Sequence, residues 1–260
     1  MWADGDAYEA YVGRWSRLVA ADFLTGLDAP PGRHWLDVGC GTGALTSTIL
    51  TGADPVRVTG VDRSAGFVGN ARARVGDARA TFQVGDAGAL PLSDHSADVV
   101  VSGLTLNFVP EPARAVAEFA RVVRPAGTVA AYVWDYADGM AMMRYFWSAA
   151  GQFDPVAAEL DEGRRFTMCS PDGLRELWND AGLGEVSVRP VEVPTVFTDF
   201  ADYWTPFLGG QGAAPAYVAT LAEPDRIALR SLLAARLPIE SDGSIRLTAR
   251  AWAVRGTALT

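Results

Sequence analysis

The chain has 260 residues, 49% of them hydrophobic and 20% charged, and a net charge of −9. That composition is globular and suits one large α/β domain or two small ones, and no apolar run approaches the roughly 20 residues that span a bilayer. The acidic start "MWADGDAYEAYVGRW" lacks the basic region of a signal peptide, and no clustered basic face is available for nucleic acid, so a cytoplasmic protein with a small-molecule partner is predicted.

All 22 basic residues are arginine, which removes Schiff-base lysine chemistry and a P-loop lysine from consideration. Cys40 and Cys169 lack the paired spacing of a metal site or a disulfide, so no metal is expected.

In chain order, "HWLDVG" reads as a buried strand, followed by a glycine turn and the helix "ALTSTILTG". "VRVTGVD" is a second strand, "SAGFVGNARARVG" a helix, and "ATFQVGD" and "SADVVVSGL" the third and fourth strands. "EPARAVAEFARVVRP" predicts an amphipathic helix with Ala113, Val116, Ala117, Ala120 and Val123 on one stripe. Pro125 and Gly127 are expected to stop it before a fifth strand, "TVAAYVWD". Apolar strands alternating with helices imply a parallel sheet covered on both faces.

Residues 137–170 and 199–240 read as helical insertions rich in Met and aromatics. Between them lie a helix capped by Ser170 and Pro171 and the strand "EVSVRPVEVPTVF"; "SIRLTARAWAVRG" supplies the last strand. One domain over 1–260 is the simplest account.

Gly39, Gly41 and Gly43 follow the first strand with the spacing G-x-G-x-G, tighter than the dinucleotide fingerprint G-x-G-x-x-G. Asp37 ends the first strand and Asp86 ends the third. Asp62 ends the second, 62 − 43 = 19 residues after the last glycine, where a carboxylate accepts from ribose hydroxyls. Singly, each Asp suits a strand-end turn. Together, at one sheet edge, they would repel a pyrophosphate and favour a ligand with a cationic sulfur, an ammonium, a ribose and an adenine, which describes S-adenosylmethionine.

"LDVGCGTGAL", "VDRS" and "GDAGALPLSDHSADVVVSGLTLNFVPEPARAVAEFARVVRPAGTVAAYVWD" resemble the class I S-adenosylmethionine-dependent methyltransferases, in the branch of the ubiquinone and menaquinone biosynthesis enzymes (methyltransferase type 11). The resemblance covers about residues 11–135. It implies a Rossmann-like α/β fold whose seven-stranded, mainly parallel sheet has the order 3-2-1-4-5-7-6 and an antiparallel last strand.

Residue by residue, the resemblance implies that Gly39, Gly41 and Gly43 form a platform for the methionine and ribose. Asp37 would order the loop and approach the methionine amine. Asp62 would hold the ribose, with Arg63 beside the adenine; Asp86 and the Ala87 backbone would read the adenine. Backbone from Ser102 to Leu104 would meet the ammonium. An N-terminal helix within 1–32 would cover the cofactor, with Tyr11 and Arg14 toward the methionine carboxylate. The product would be S-adenosylhomocysteine.

Methyl transfer from sulfonium is an in-line displacement, so positioning does most of the work. His34 and His95 lie at the wrong edge to act as a base; Asp135, Asn107 and Tyr136 lie at the productive one. The two insertions are expected to form an apolar lid, with Trp134, Phe146, Trp147, Tyr203 and Trp204 lining a pocket for a small apolar or aromatic acceptor. Two other functions remain open: an NAD(P)-dependent oxidoreductase and a non-catalytic S-adenosylmethionine-binding regulator. The sequence is equally compatible with a monomer and a homodimer.

Overall fold

The structure, a computed structural model, describes residues 13–209 and 212–259. Its seven strands form one sheet in the predicted order, 3-2-1-4-5-7-6 by position in the chain, with the sixth, β6 (Leu183–Phe197), at one end and the last strand antiparallel. Among the described residues no helix is long and apolar enough to cross a membrane.

The chain divides into two compact units. A sheet unit holds the described residues of 16–133, 168–191 and 252–259. An aromatic unit holds 134–167 and the described residues of 192–251 and of 1–15, which are 13–15.

In the sheet unit, β1 (His34–Val38) lies between β2 (Arg57–Asp62) and β4 (Ala97–Gly103), with Trp35 in register with both Val58 and Val99. β3 (Ala80–Val84) pairs with β2, and β5 (Val123–Trp134) with β4. Leu36, Val38, Val58, Val61, Val100 and Val101 are buried, because a parallel strand presents apolar side chains to covering helices on both faces. The pairings are parallel, so the carboxyl ends of β1 to β4 reach one edge. That edge carries the glycine turn.

Helix α1 (Arg14–Leu27) precedes β1, and α2 (Ala44–Gly52), α3 (Ala65–Arg74) and α4 (Pro112–Val122) lie between successive strands. α3 starts where the Ser64 hydroxyl accepts from the Phe67 N–H. α4 departs from its predicted stripe: it buries Ala115, Val116, Phe119 and Val122 and leaves Ala113 and Ala117 exposed. The Phe119 ring decides the face, since its apolar area far exceeds that of the alanine methyls. β5 also begins earlier than expected, at Val123, and runs through Pro125 and Gly127. A side chain at Gly127 would meet the Asp98 carbonyl oxygen at 2.7 Å, so glycine lets the two strands approach there.

α8 (Pro171–Asp180) is capped by the Ser170 hydroxyl, which accepts from the Gly173 N–H, as predicted. It buries Trp178 completely, and the indole donates to the Val129 carbonyl at 3.0 Å. Gly256 of β7 (Ile245–Ala258) packs against the same ring.

The aromatic unit resolves the first insertion into α5 (Ala141–Phe153), α6 (Ala157–Leu160) and α7 (Glu162–Arg165). The second becomes α9 (Phe200–Trp204), a 3-10 turn (Thr205–Leu208), α10 (Ala213–Thr220) and α11 (Glu223–Arg236). Phe146 stacks on Phe207 with centroids 4.5 Å apart and meets Trp147 edge-on at 5.0 Å. The Tyr203 hydroxyl donates to the Met142 carbonyl, and the Trp147 indole to Glu162. Arg144 pairs with Asp161.

Trp178→Ala should cost about 3–5 kcal/mol, through a cavity and a lost hydrogen bond. Urea unfolding of the two proteins measures it; a loss under 1 kcal/mol would contradict this packing.

Candidate functional site

The turn after β1 holds Gly39, Gly41 and Gly43 at φ of 75°, 52° and 88°, left-handed values that glycine adopts without steric cost. The Gly39 and Cys40 N–H groups both donate to the Val61 carbonyl, at 2.7 and 3.1 Å, which seats the turn on β2. The three glycines answer different demands. A Cβ at Gly39 would lie 2.2 Å from Thr105 Cγ2, and one at Gly43 would lie 2.7 Å from Val75 Cγ2. A Cβ at Gly41 would meet nothing within 4 Å. Gly39 and Gly43 therefore serve the protein's own packing, and Gly41 alone borders open space.

Asp37 is fully buried below this turn. Its Oδ2 accepts from the Thr46 hydroxyl at 2.7 Å, and its Oδ1 has no partner among the described residues. Burial, with Asp62 adding like charge, pushes Asp37 up to about 7 against the Thr46 hydrogen bond. Asp62 braces the turn: Oδ2 accepts from the Gly41 N–H at 3.0 Å and Oδ1 from the Ser64 N–H at 2.8 Å. Cys40 is buried, and burial with the two carboxylates pushes its thiol far up. It is a filler, as its place in the turn suggested.

The remaining expected cofactor residues share this edge. Asp86 is exposed and closes its own turn by accepting from the Gly88 N–H at 2.7 Å, with Ala87 between them. Arg63 is exposed beside Asp62. Ser102 is buried at the end of β4, and Leu104 adopts φ 54°, costly for a branched side chain. Thr105 ties the two turns together, its hydroxyl lying 3.1 Å from the Gly39 carbonyl and 3.0 Å from that of Gly103. Neither Thr46 nor Thr105 was expected from sequence. A hydroxyl in the first turn of the helix after a buried acid is the signal that would have found Thr46.

The other candidates fare differently. Tyr11 lies outside the described residues. Arg14, expected to take a ligand carboxylate, already holds Asp202 at 2.8 Å, and its guanidinium lies over the rings of Trp15 and Phe197. Asp135 is engaged within its own unit: its Oδ2 accepts from Arg250 Nε at 2.7 Å and its Oδ1 from the Asp138 N–H. Tyr136 packs on Phe166, with centroids 5.2 Å apart. Asn107 is buried in a 3-10 turn (Leu106–Phe108) after β4. Phe146, Trp147 and Tyr203, expected to line a pocket, fill the core of their own unit, and Trp134 is also buried. Trp204 borders a groove of about 600 Å³ with Leu208, Val218 and Ile227.

A sheet of this order, with a left-handed glycine turn after its first strand and an acid closing its second, is the architecture of class I methyltransferases. A family model described as "Methyltransferase domain" matches residues 36–131. The demethylmenaquinone methyltransferase of Symbiobacterium thermophilum is 35% identical over 204 residues, covering 71% of this chain and 81% of that protein. The 2-methyl-6-phytyl-1,4-hydroquinone methyltransferase of Synechocystis sp. is 34% identical over 192 residues, covering 72% and 58%. Among solved structures, Haemonchus contortus phosphoethanolamine N-methyltransferase 2 in complex with S-adenosyl-L-methionine superposes with a TM-score of 0.59 at 17% identity, covering 93% of this chain and 52% of that one.

The chain belongs to the class I S-adenosylmethionine-dependent methyltransferases of the ubiquinone/menaquinone type. It spans 33–58% of the length of the first curated relatives it matches.

The geometry fits the family's cofactor on two counts. The orphan Asp37 Oδ1 suits a cation, and the open side of Gly41 leaves room for a ligand to lie on bare backbone.

The raised Asp37 carboxyl also sets a pH dependence. It favours the folded state most fully below pH 3.8, and the contribution is lost as pH rises toward 7. A rise of that size corresponds to about 4 kcal/mol. Asp37→Asn should flatten that slope and be more stable than the parent at pH 8. Urea unfolding at pH 5 and 8 checks it; equal slopes would contradict the buried, half-paired carboxyl.

Proposed function

We propose that this protein methylates a small hydroquinone-like acceptor with S-adenosylmethionine. The observation that carries the reading is Asp37: a fully buried carboxyl with one unpartnered oxygen, next to the open backbone of Gly41. An anionic oxygen in that position attracts an ammonium or sulfonium and repels a pyrophosphate. The names of the matched relatives support the acceptor class, since they act on demethylmenaquinone and on a phytyl hydroquinone.

In this reading the chain's residues mainly bind and orient. Asp62, with a second lone pair on each oxygen, accepts from the ribose hydroxyls while bracing Gly41 and Ser64. Asp86 and the Ala87 backbone meet the adenine edge, with Arg63 alongside. The carbonyls of Ser102 to Leu104, turned by the left-handed Leu104, accept from the methionine ammonium, and Asp37 balances its charge. When bound, the cofactor supplies an electrophilic methyl on a cationic sulfur and leaves as S-adenosylhomocysteine. The protein's task is then to hold the acceptor near 3 Å from that methyl, in line and dry. Asp135 is committed to Arg250, so the reaction is assigned to positioning rather than to a carboxylate base.

Calorimetry tests this directly. S-Adenosylmethionine and S-adenosylhomocysteine should bind at micromolar concentration and NAD should not; the reverse pattern overturns the reading. Asp62→Ala should weaken S-adenosylhomocysteine about 10- to 100-fold, through loss of a charged acceptor. Binding should tighten and release a proton as pH rises through about 7, because the ligand's ammonium selects ionised Asp37. Affinity independent of pH would remove Asp37 from the site.

The glycines give a sharper contrast. Gly41→Ala should stay folded, at a left-handed cost of about 1–2 kcal/mol, yet lose S-adenosylhomocysteine binding at least about 10-fold. Gly39→Ala should fail first in stability, because its Cβ collides with Thr105. Thermal unfolding beside calorimetry separates the two.

A further inference from the structure

Asn107 is a buried side-chain amide whose donor and acceptor are both unmet among the described residues of the sheet unit. It is 8% exposed, and neither Oδ1 nor Nδ2 has a partner among the described residues. His34 and Trp35 each leave a single ring nitrogen unpaired, near the opposite end of β1. Asp37 leaves a single oxygen, which the cofactor reading already uses. A buried amide with no partner at all is rare in native proteins and marks a place where another group belongs.

The position is rigid. Two residues earlier, Thr105 bonds toward the Gly39 carbonyl, and five residues later Pro112 opens α4. The Phe108 N–H donates to Thr105, closing the 3-10 turn around Asn107. Its surroundings in sequence are neutral: no charged residue occurs between Asp98 and Glu111, and Leu104, Leu106 and Phe108 flank it. The turn thus offers one amide among apolar groups, with no counter-charge for an ionic ligand.

We propose that the Asn107 amide binds a hydroxyl of the methyl acceptor and so selects ring alcohols over their ethers. The inference rests on the methyltransferase reading and adds a recognition rule to it. A hydroxyl suits either end of the amide: its hydrogen is donated to Oδ1, or its oxygen accepts from Nδ2. An ether offers only an acceptor, and a hydrocarbon offers neither. Because the amide is already desolvated in the free protein, an acceptor lacking the hydroxyl gains nothing from it, and discrimination is large.

Asn107→Leu replaces the amide with an apolar group of similar size. Its melting temperature should rise by about 2–6 °C, since an unmet buried polar group is removed. S-Adenosylhomocysteine affinity, measured by calorimetry, should change less than about twofold. In its presence, 1,4-naphthalenediol kept reduced under anaerobic conditions should bind the parent and lose at least about 10-fold in the variant. 1,4-Dimethoxynaphthalene, which can only accept from Nδ2, should bind the parent more weakly than the diol, and 1,4-dimethylnaphthalene, which offers neither group, should bind both proteins equally and weakly.

Equal diol binding by the two proteins overturns the proposal, as does no diol binding by the parent. A lower melting temperature with ligand binding intact would make Asn107 structural, and a matching loss of S-adenosylhomocysteine would make it a cofactor residue; either result also overturns it. If the parent binds the diol but not S-adenosylhomocysteine, the methyltransferase reading fails while the hydroxyl contact is still scored.

Discussion

Asp37 is fully buried, and among the described residues its hydrogen bonding comes from Thr46 across the glycine turn. A carboxyl in that state is expensive when ionised and tolerable when protonated or paired with a cation. The surrounding geometry follows from keeping it there. α2 must start immediately after Gly43 so that Thr46 can reach back, and the chain must cover the short path from Val38 to Ala44 through left-handed backbone. Asp62 then takes up the Gly41 N–H, and the like charge of the two acids is held apart by the turn between them. The edge is thereby electrically unbalanced, and a cation is the species that restores balance.

Much of this was legible in the sequence because it is written in short, local signals. The strand order follows from the family resemblance. Ser64 and Ser170 announce their helices through residue types that accept from backbone N–H groups. Asp37, Asp62 and Asp86 sit at strand ends, a position that periodicity alone supplies. Phe119 was the failure of the same method. Counting alanines on a helical wheel weights positions equally, whereas burial weights area, so the aromatic ring turned α4 away from its predicted stripe.

What sequence could not show was division of labour. Three glycines in a row look equivalent, yet their neighbours differ: Thr105 beside Gly39, Val75 beside Gly43 and open space beside Gly41. Those neighbours come from 30 to 70 residues away in the chain, beyond any local pattern. The aromatic residues of the insertions pose the same problem. A ring at helical spacing reads identically whether it faces a ligand or another ring. Phe146 against Phe207 and Tyr203 against Met142 are tertiary pairings across some 60 residues. Arg250 likewise reaches Asp135 from more than a hundred residues away, a pairing that no local pattern shows.

Thr105 belongs to two turns at once: its methyl is what Gly39 must accommodate, and its hydroxyl spans the Gly39 and Gly103 carbonyls. The turn under one ligand and the turn carrying Asn107 therefore share a single rotamer. Replacing Thr105 would disturb both turns at once.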